Sequence, residues 1–563
     1  MVYRIFQAYL DDENSITIEL EKSFDAYSIH FTLEDKHSSS PLTIKKIENQ
    51  EHQIIYTLSA NDPIDLTESY TVYDQDRNHT ILQYRHIVQK PIFDELFSYQ
   101  GRDLGASYSP QATDFKLWAP ISEKVLLHLE EQIIPLQRQD RGVWHTQILG
   151  DLEGKAYYYI HKVNGKWVEV HDPYALSSDA NSGHSYVIDR KKISRPIHRA
   201  ASQVKPTEAV IYEMSVRDFS MQKEAGFSQP GKFTSLSESP TVHGHTFGLK
   251  YLQDLGITHV QLMPVYDFGS VDEKHPELVY NWGYDPVQYN VPEGSLSSDP
   301  HNPYTRIFEL QDAIAAYHKA DMSVIMDVVY NHVYEADNYA FEKIVPGYFY
   351  RLDERGIRTN GTFCGNDVAS EKAMVRHYIQ QSVQQWVSLY GFDGFRFDLM
   401  GILDITTMKQ IAQKLKAIYP NIYLYGEGWQ MPTGLDSDLL AHQFNAEQLA
   451  EYGFFSDHFR DTIKQTIAQG SRLDKEHATS WLENVLTANV GLTGEPHFLA
   501  PHQAINYVEC HDNATVFDYF DIQNPNISLR QRLANSRLAL HIVLLAQGVP
   551  FLTAGRNFIG PRI

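Results

Sequence analysis

From about residue 208 onward, the chain alternates short apolar strands with helical stretches, and this alternation constrains the fold more than any other feature. Strands that alternate with helices are typical of a parallel sheet. Eight such units predict a (β/α)8 barrel, in which the active site lies at the carboxyl ends of the strands. The expected strands cover residues 209–214, 258–263, 323–329, 394–400, 421–426, 453–455, 504–508 and 549–552.

Two β-rich regions precede the predicted barrel. Residues 1–98 alternate apolar and polar side chains over short runs, with Asp, Asn and Ser between the runs, which predicts a small β-sandwich. Residues 99–200 show the same pattern and predict a second β-sandwich. The expected fold class is therefore multidomain, with two N-terminal β-sandwich domains followed by a catalytic barrel over residues 201–563.

Charge and composition exclude several classes of protein. The net charge of −23 disfavours binding to nucleic acid or to an anionic membrane, because like charges repel, whereas a neutral polymer is not disfavoured. Cys364 and Cys510 are too few for a disulfide framework or a zinc cluster. Asp11, Asp12 and Glu13 stand where a signal peptide needs an apolar run, and no stretch has the length of a membrane span. We therefore expect a cytoplasmic protein.

Polar side chains follow four of the predicted strands. In a barrel these positions meet at one mouth, although they are far apart in the chain. Each one alone has a structural explanation, such as an ion pair or a turn cap, but buried like charges repel and a scaffold has no need of so many. The residues concerned are Asp327, Asn331, His332, Arg396, Asp398, Glu427, Trp429, Glu509, His511, Asp512 and Asn513.

The chemistry that this set of residues suits is glycoside hydrolysis. Arg396 lies two residues before Asp398 on the same face of a strand and is expected to keep that carboxylate ionised, as a nucleophile requires. Glu427 lies beside Gly428 and Trp429, a less polar setting that is expected to raise its pKa, as a proton donor requires. A retaining mechanism further requires that the two carboxyl groups lie about 5–5.5 Å apart.

The other polar residues have predicted roles around the same sugar. Asp512 is expected beneath the ring, where it would hold hydroxyl groups, and His332 and His511 can hydrogen-bond further hydroxyls. A metal hydrolase that uses these two histidines with Asp327 and Asp512 is the alternative. It is disfavoured because no HxH or HExxH spacing is present.

Four segments carry a resemblance to a known family. Residues 327–332, 394–398, 426–429 and 506–513 resemble the four motifs of the α-amylase superfamily, glycoside hydrolase family 13. Residues 280–286, Tyr-Asn-Trp-Gly-Tyr-Asp-Pro, are similar to the signature of type I pullulanases. The resemblance covers about residues 100–555. Residues 99–200 look like a carbohydrate-binding-module-like β-sandwich, and residues 1–98 resemble the N-terminal domain of some intracellular pullulanases less specifically.

The resemblance implies a function and a set of site residues. It implies hydrolysis of α-1,6 branch linkages in pullulan, amylopectin, limit dextrins or glycogen, with retained configuration. Asp398 would be the nucleophile, Glu427 the general acid/base and Asp512 the transition-state stabiliser. The implied substrate-binding residues are Tyr284, Trp282, Asp285, His332, Arg396, Trp429 and His511.

Several alternatives stay open at this point. The α-1,6 preference does not follow from spacing, so an α-1,4-acting amylase or a neopullulanase is the second candidate, and a glucan-binding protein without turnover is the third. No cofactor is required, and calcium is left open because Asn331 matches a calcium-binding position of many α-amylases. The sequence predicts no oligomeric state.

The C-terminal end departs from the family pattern. The sequence stops at Ile563, soon after the eighth predicted strand, where family members continue with a helix and a C-terminal β-sandwich. Residues 554–558 also differ from the usual Gly-Gln-Glu-Phe. We therefore expect that this domain is missing, and that the barrel closes poorly or that a partner chain covers its last strand.

Overall fold

The first unit of the structure is a closed barrel of seven strands. The structure is a computed structural model that describes residues 3–22, 27–202, 204–470, 475–491 and 496–555. The strands are β1 (Phe6–Asp12), β2 (Ser15–Glu21), β3 (Phe31–Glu34), β4 (Ser39–Asn49), β5 (Gln53–Ser59), β6 (Thr71–Asp74) and β7 (His79–Tyr84). Their order is β1-β2-β5-β4-β3-β6-β7, and β1 closes the barrel by pairing in parallel with β7. The prediction of a β-sandwich over residues 1–98 is therefore wrong. Period-two alternation predicts which face of a strand is buried, but not whether the sheet closes on itself.

The second unit is a β-sandwich, as predicted. It contains β8 (Gly105–Tyr108), β9 (Ala112–Trp118), β10 (Ser122–Leu129), β11 (Gln132–Pro135), β12 (Gln137–Arg138), β13 (Val143–Leu149), β14 (Ala156–Val163), β15 (Lys166–Val170) and β16 (Ser185–Tyr186). One sheet has the order β12-β13-β9-β8, and the other has the order β11-β10-β14-β15 with β16 on β14. Phe115 of the first sheet contacts Tyr157 of the second with ring centroids 5.0 Å apart, so the apolar faces of the two sheets form one core.

The third unit contains a closed barrel of eight parallel strands. Its elements are β17 (Ile211–Met214), β18 (Thr241–Val242), β19 (His245–Thr246), β20 (His259–Leu262), β21 (Tyr266–Phe268), β22 (Pro286–Pro292), β23 (Ser323–Val328), β24 (Gly394–Phe397), β25 (Tyr423–Gly426), β26 (Tyr452–Phe455), β27 (Ala504–Asn506) and β28 (Val549–Thr553). The barrel order is β17-β20-β23-β24-β25-β26-β27-β28, which confirms all eight predicted strands. The remaining four strands form two antiparallel hairpins, β18–β19 and β21–β22.

The eighth strand completes the barrel. β28 pairs with β17 through Ile211 and Phe551, so the expected poor closure is wrong. The reason is that Phe551 is buried inside the barrel against Phe455 and Tyr507, and this interior layer holds the strand. Residues 556–563, which include most of the segment that departs from the family pattern, lie outside the described residues.

Helices lie before the eight-stranded barrel and between its strands. They are α1 (Pro91–Phe97) and α2 (Arg190–Ile193) before the barrel, and α3 (Val216–Ser220), α4 (Gly248–Leu255), α5 (Thr305–Lys319), α6 (Ala340–Ile344), α7 (Ala373–Gln385), α8 (Ile405–Ile418), α9 (Asp457–Gln469), α10 (Lys475–Leu486), α11 (Val516–Gln523) and α12 (Leu529–Leu545) within it. Among the described residues, none of these helices has both the length and the apolar character that a membrane span needs.

Candidate active site

One arginine contacts three carboxylates at the mouth of the eight-stranded barrel. Arg396 of β24 is 2% exposed, and its Nη1 lies 2.9 Å from Asp327 Oδ1 and 2.9 Å from Asp398 Oδ1. Its Nη2 lies 2.5 Å from Glu427 Oε1. A guanidinium is planar and rigid, so it fixes the relative positions of the groups that it binds. The two candidate catalytic carboxylates are therefore held by the two terminal nitrogens of one side chain.

Strand register explains why Asp398 and Glu427 are neighbours. Phe397 and Gly426, the last residues of β24 and β25, are paired with each other. Asp398 and Glu427 directly follow these two residues. Leu399 follows in a left-handed conformation, with φ 38° and ψ 47°, and its N–H donates to Glu427 Oε2 at 3.2 Å. Such a conformation is strained for a residue with a side chain and is found where the surroundings impose it, often at functional sites.

Burial changes the pKa values of two acids around Arg396. Burial raises the pKa of Glu427, and the charge of Asp398 raises it further, while Arg396 opposes the change. Burial likewise raises the pKa of Asp327 to about 7, again against the influence of Arg396. A glutamic acid whose pKa is raised keeps a proton that it can donate. The raised pKa expected for Glu427 agrees with this finding.

Glu213 is a site residue that the sequence analysis missed. It lies in β17, is 1% exposed, and its Oε1 is 2.7 Å from His511 Nδ1, while its Oε2 accepts the backbone N–H of His511 at 2.8 Å. Burial alone would lower the pKa of His511, but the charge and hydrogen bond of Glu213 more than offset this and raise it to about 9. His511 therefore carries a positive charge at neutral pH. The sequence signal that could have identified Glu213 is its position as a carboxylate inside an otherwise apolar predicted strand.

Aromatic rings extend the site beside His511. Tyr284 stacks on His511 with ring centroids 4.7 Å apart and an interplanar angle of 15°, and its hydroxyl donates to Asp327 Oδ2 at 2.8 Å. Trp282 meets the same histidine edge-on at 5.4 Å. Flat apolar faces of sugar rings stack on such aromatic side chains. The structure thus brings Tyr284, Trp282 and His511, three of the predicted substrate-binding residues, together.

Asp512 and Trp429 line the outer part of this mouth. The Asp512 side chain is 49% exposed, with its Oδ2 3.6 Å from His511 Nε2. Trp429 is half-buried and packs against the apolar interior of the barrel. Both residues are therefore at the open end of the site, where a sugar can reach them.

Two predicted sugar-binding residues also contact protein groups. His332 has its Nε2 2.8 Å from the backbone oxygen of Tyr284 and its Nδ1 2.6 Å from Asn331 Oδ1, so both ring nitrogens are engaged. Asp285 accepts hydrogen bonds from Asn281 Nδ2 at 3.0 and 3.2 Å within its own loop. In this structure, both residues position the loop that presents Tyr284.

Asn331, for which calcium binding was an open possibility, also forms hydrogen bonds with protein groups. Its amide nitrogen donates to Asp398 Oδ2 at 2.9 Å and to the backbone oxygen of Asp398 at 2.7 Å. Its side-chain oxygen faces His332. The Asn331 side chain therefore supports the candidate nucleophile.

A second missed group lies deeper in the barrel. Tyr425 donates its hydroxyl to Gln261 Oε1 at 2.6 Å, and Gln261 Nε2 donates to Asp327 Oδ2 at 3.3 Å. These buried side chains support the carboxylates from below. Their predicted strands gave no signal beyond a polar residue in an apolar run.

The geometry defines a class of protein. Two neighbouring carboxyl groups, one of which has the raised pKa that a proton donor requires, lie at the mouth of a (β/α)8 barrel and provide what glycoside hydrolysis needs. Family models agree with this class: the alpha amylase catalytic domain matches residues 228–346, carbohydrate-binding module 48 (isoamylase N-terminal domain) matches 103–175, and the pullulanase N1-terminal domain matches 6–89. The exact domain boundaries at residues 98 and 200 stay predictions.

Whole-chain comparisons are more specific. The chain is 37% identical to a pullulanase of Bacillus subtilis over 99% of its own length and 79% of that protein. It superposes with a TM-score of 0.94 on the structure of a pullulanase from Anoxybacillus sp. LM18-11 complexed with maltotriose, at 39% identity, covering 99% of this chain and 81% of that one. A type I pullulanase of Bacillus subtilis complexed with maltose gives a TM-score of 0.92 at 36% identity, covering 100% and 80%. The chain belongs to the pullulanase family of debranching glycoside hydrolases.

Proposed function

We propose that the protein hydrolyses α-1,6-glucosidic branch linkages in pullulan, limit dextrins, amylopectin or glycogen, with retained configuration at the anomeric carbon. The observation that carries the proposal is the contact of Asp398 and Glu427 with the two terminal nitrogens of Arg396. Retaining enzymes need closely spaced carboxyl groups, and one guanidinium that binds both fits that spacing. The related structures hold maltotriose and maltose, which supports an α-glucan as substrate.

The first chemical step would form a covalent intermediate. Asp398 attacks the anomeric carbon and forms a glycosyl ester, while the bond between that carbon and the leaving oxygen breaks. Glu427 donates its proton to the leaving oxygen, for which its raised pKa is suited. Arg396 contacts both acids throughout, so it balances negative charge as the proton moves.

The second step would release the sugar. Glu427, now a carboxylate, takes a proton from a water molecule, and the resulting hydroxide attacks the anomeric carbon and displaces Asp398. Two displacements on the same carbon give retained configuration. Asp512 and the positively charged His511 would hold hydroxyl groups of the sugar as its ring flattens, and Tyr284 would stack on the sugar face.

Products from pullulan distinguish the candidate functions. Maltotriose indicates α-1,6 cleavage, whereas panose indicates an α-1,4-acting amylase or neopullulanase. Early NMR spectra of the released sugar should show the α anomer if configuration is retained. Asp398→Asn should abolish product formation, while Asp438→Asn, an exposed aspartate elsewhere on the barrel domain, serves as the matched control. If wild type and Asp398→Asn both bind glucan and neither releases sugar, the protein is a binder and the proposal fails.

A further inference from the structure

One large aromatic side chain beside the active site is mostly exposed to solvent. Phe363 is 78% exposed, and it begins a short exposed tip, residues 363–365, whose neighbours on both sides are buried. The ring therefore gains little from the hydrophobic effect in this structure. Single exposed apolar residues are common, so exposure alone does not indicate a function.

The backbone conformation distinguishes Phe363 from an ordinary surface residue. Its φ is 61°, in the left-handed region that glycine adopts freely and that is unfavourable for a bulky side chain. A glycine at this position would avoid the cost, and the exposed ring offsets little of it through packing. Strained conformations of this kind are found mostly at binding and catalytic sites, where the surroundings impose them.

The loop that carries Phe363, residues 359–367, is held by buried hydrogen bonds. Asp367 is fully buried, and its carboxylate accepts four hydrogen bonds. The donors are the hydroxyls of Thr359 and Thr433, at 2.7 Å each, and the backbone N–H groups of Gly361 and Thr362, at 2.9 Å each. The conformation of the 359–367 loop is therefore fixed from its buried side, and the position of Phe363 is fixed with it.

The 359–367 loop joins the two segments that flank the candidate nucleophile. Asn366 Oδ1 accepts the backbone N–H of Val333 at 3.0 Å, and its Nδ2 donates to the Val333 carbonyl oxygen at 2.9 Å, which attaches the loop to the segment after β23. The hydrogen bond from Thr433 attaches the loop to the segment after β25. β24 lies between these two strands and ends directly before Asp398.

Two further observations place the exposed tip at the rim of the barrel mouth. A Cβ atom added to Gly361 would lie 2.0 Å from the backbone oxygen of Pro432, so the loop packs directly on the segment that follows Trp429. Burial, and next the charge of Asp398, raise the pKa of the Cys364 thiol to about 11. Cys364 directly follows Phe363, so the exposed ring lies near the candidate nucleophile.

Given the proposed hydrolysis of α-glucans, on which this inference rests, we propose that Phe363 is a specificity-determining residue that binds a glucosyl ring of the substrate. This ring is a different one from the ring that stacks on Tyr284. Apolar faces of sugar rings stack on flat aromatic side chains. A side chain on a rigidly held loop loses less conformational freedom on binding than one on a mobile loop, which favours affinity.

Binding of pullulan without turnover tests this assignment. The full-length chain with Asp398→Asn serves as the parent protein, and its affinity for pullulan is measured by affinity gel electrophoresis. Phe363→Ala in this parent should weaken binding by about 3–10-fold, the usual size of one aromatic contact. Phe363→Trp should bind within about twofold of the parent, because it keeps a flat ring. Ile357→Ala, at a 54% exposed apolar position of the same segment, is the matched control and should bind as the parent does.

Thermal unfolding separates sugar binding from a structural role of the ring. Phe363→Gly should weaken binding as much as Phe363→Ala, but its Tm should be higher than that of the alanine variant, because a φ of 61° is unstrained for glycine. If both variants lower the Tm strongly and still bind pullulan as the parent does, the ring packs the loop and the proposal is overturned.

Steady-state kinetics of the active enzyme provide an independent measurement. With Asp398 intact, Phe363→Ala should raise KM for pullulan by a factor similar to the loss of binding and leave kcat within about twofold of wild type. If the parent binds pullulan and Phe363→Ala binds it equally tightly, the role of Phe363 is refuted while the proposed function stands. If the parent binds no α-glucan, the proposed function fails, and the role of Phe363 fails with it.

Discussion

Glu213 Oε1 lies 2.7 Å from His511 Nδ1, although 298 residues separate the two side chains in the chain. The contact joins the first barrel strand to the segment after the seventh strand. Thr553 of the eighth strand adds a hydrogen bond to Glu213 Oε2 at 2.8 Å. One buried carboxylate therefore fixes both the position and the charge of the histidine on which Tyr284 stacks.

The Glu213–His511 pair predicts a pH-dependent stability. The pKa of His511 is raised to about 9 in the folded protein from an ordinary value of 6.5. The contribution of its protonated form to stability is therefore complete below about pH 6.5 and is lost as the pH rises through about 9. The Tm of wild type should fall over this range. In Glu213→Gln the fall should be smaller, because burial then lowers the pKa of His511, and parallel Tm curves for the two proteins would contradict the assignment.

Replacement of Arg396 by lysine should reduce catalysis strongly. A lysine ammonium is one compact charge and cannot bind Asp398 and Glu427 through two separate nitrogens. We expect kcat on pullulan to fall by about 100-fold or more, because small misplacements of catalytic groups have effects of this size. Arg355→Lys, at an exposed position, is the control. A change in kcat of less than threefold would show that the bridge does not position the acids.

Glu427→Gln should remove the proton donor without removing the nucleophile. The expected loss of kcat is about 10²–10⁴-fold, the usual contribution of a general acid or base. The loss should be much smaller for the first step on an aryl glycoside whose leaving group needs no proton. In wild type, kcat/KM should decline on the alkaline side at a pH above the ordinary glutamate range, because the pKa of Glu427 is raised. This decline should disappear in the variant. An unchanged pH profile would assign proton donation to another group.

Two substitutions of Tyr284 separate its hydrogen bond from its ring. Tyr284→Phe keeps the stacked ring but leaves Asp327 Oδ2 without the hydroxyl donor at 2.8 Å, which should lower stability by about 1.5–3 kcal/mol. Tyr284→Ala also removes the ring and should raise KM by an additional factor of about 10. Equal KM values for the two variants would show that the ring does not bind sugar. Thermal unfolding and steady-state kinetics measure the two effects.

The candidate site was predictable where a side chain ends a strand. Asp398 and Glu427 follow apolar runs with clear strand character, and parallel strands in a barrel place such residues at one mouth. Glu213 and Gln261 were missed because they lie within their strands and point into the barrel, where sequence alternation gives no information about polar partners. The sequence also did not show that His332 and Asp285 hydrogen-bond within the loop around Tyr284, and their binding of sugar stays a prediction.

The sequence by itself determined where the eight barrel strands lie and which acids stand at their ends, since local hydrophobic periodicity depends only on neighbouring residues. Only the tertiary structure decided that residues 6–84 close into a barrel and that Glu213 keeps His511 protonated. It also decided that Asp267, Glu273 and Glu293 lie close together in the interior. These features depend on which distant segments become neighbours. That choice is made by the packing of the whole chain, which no local pattern records.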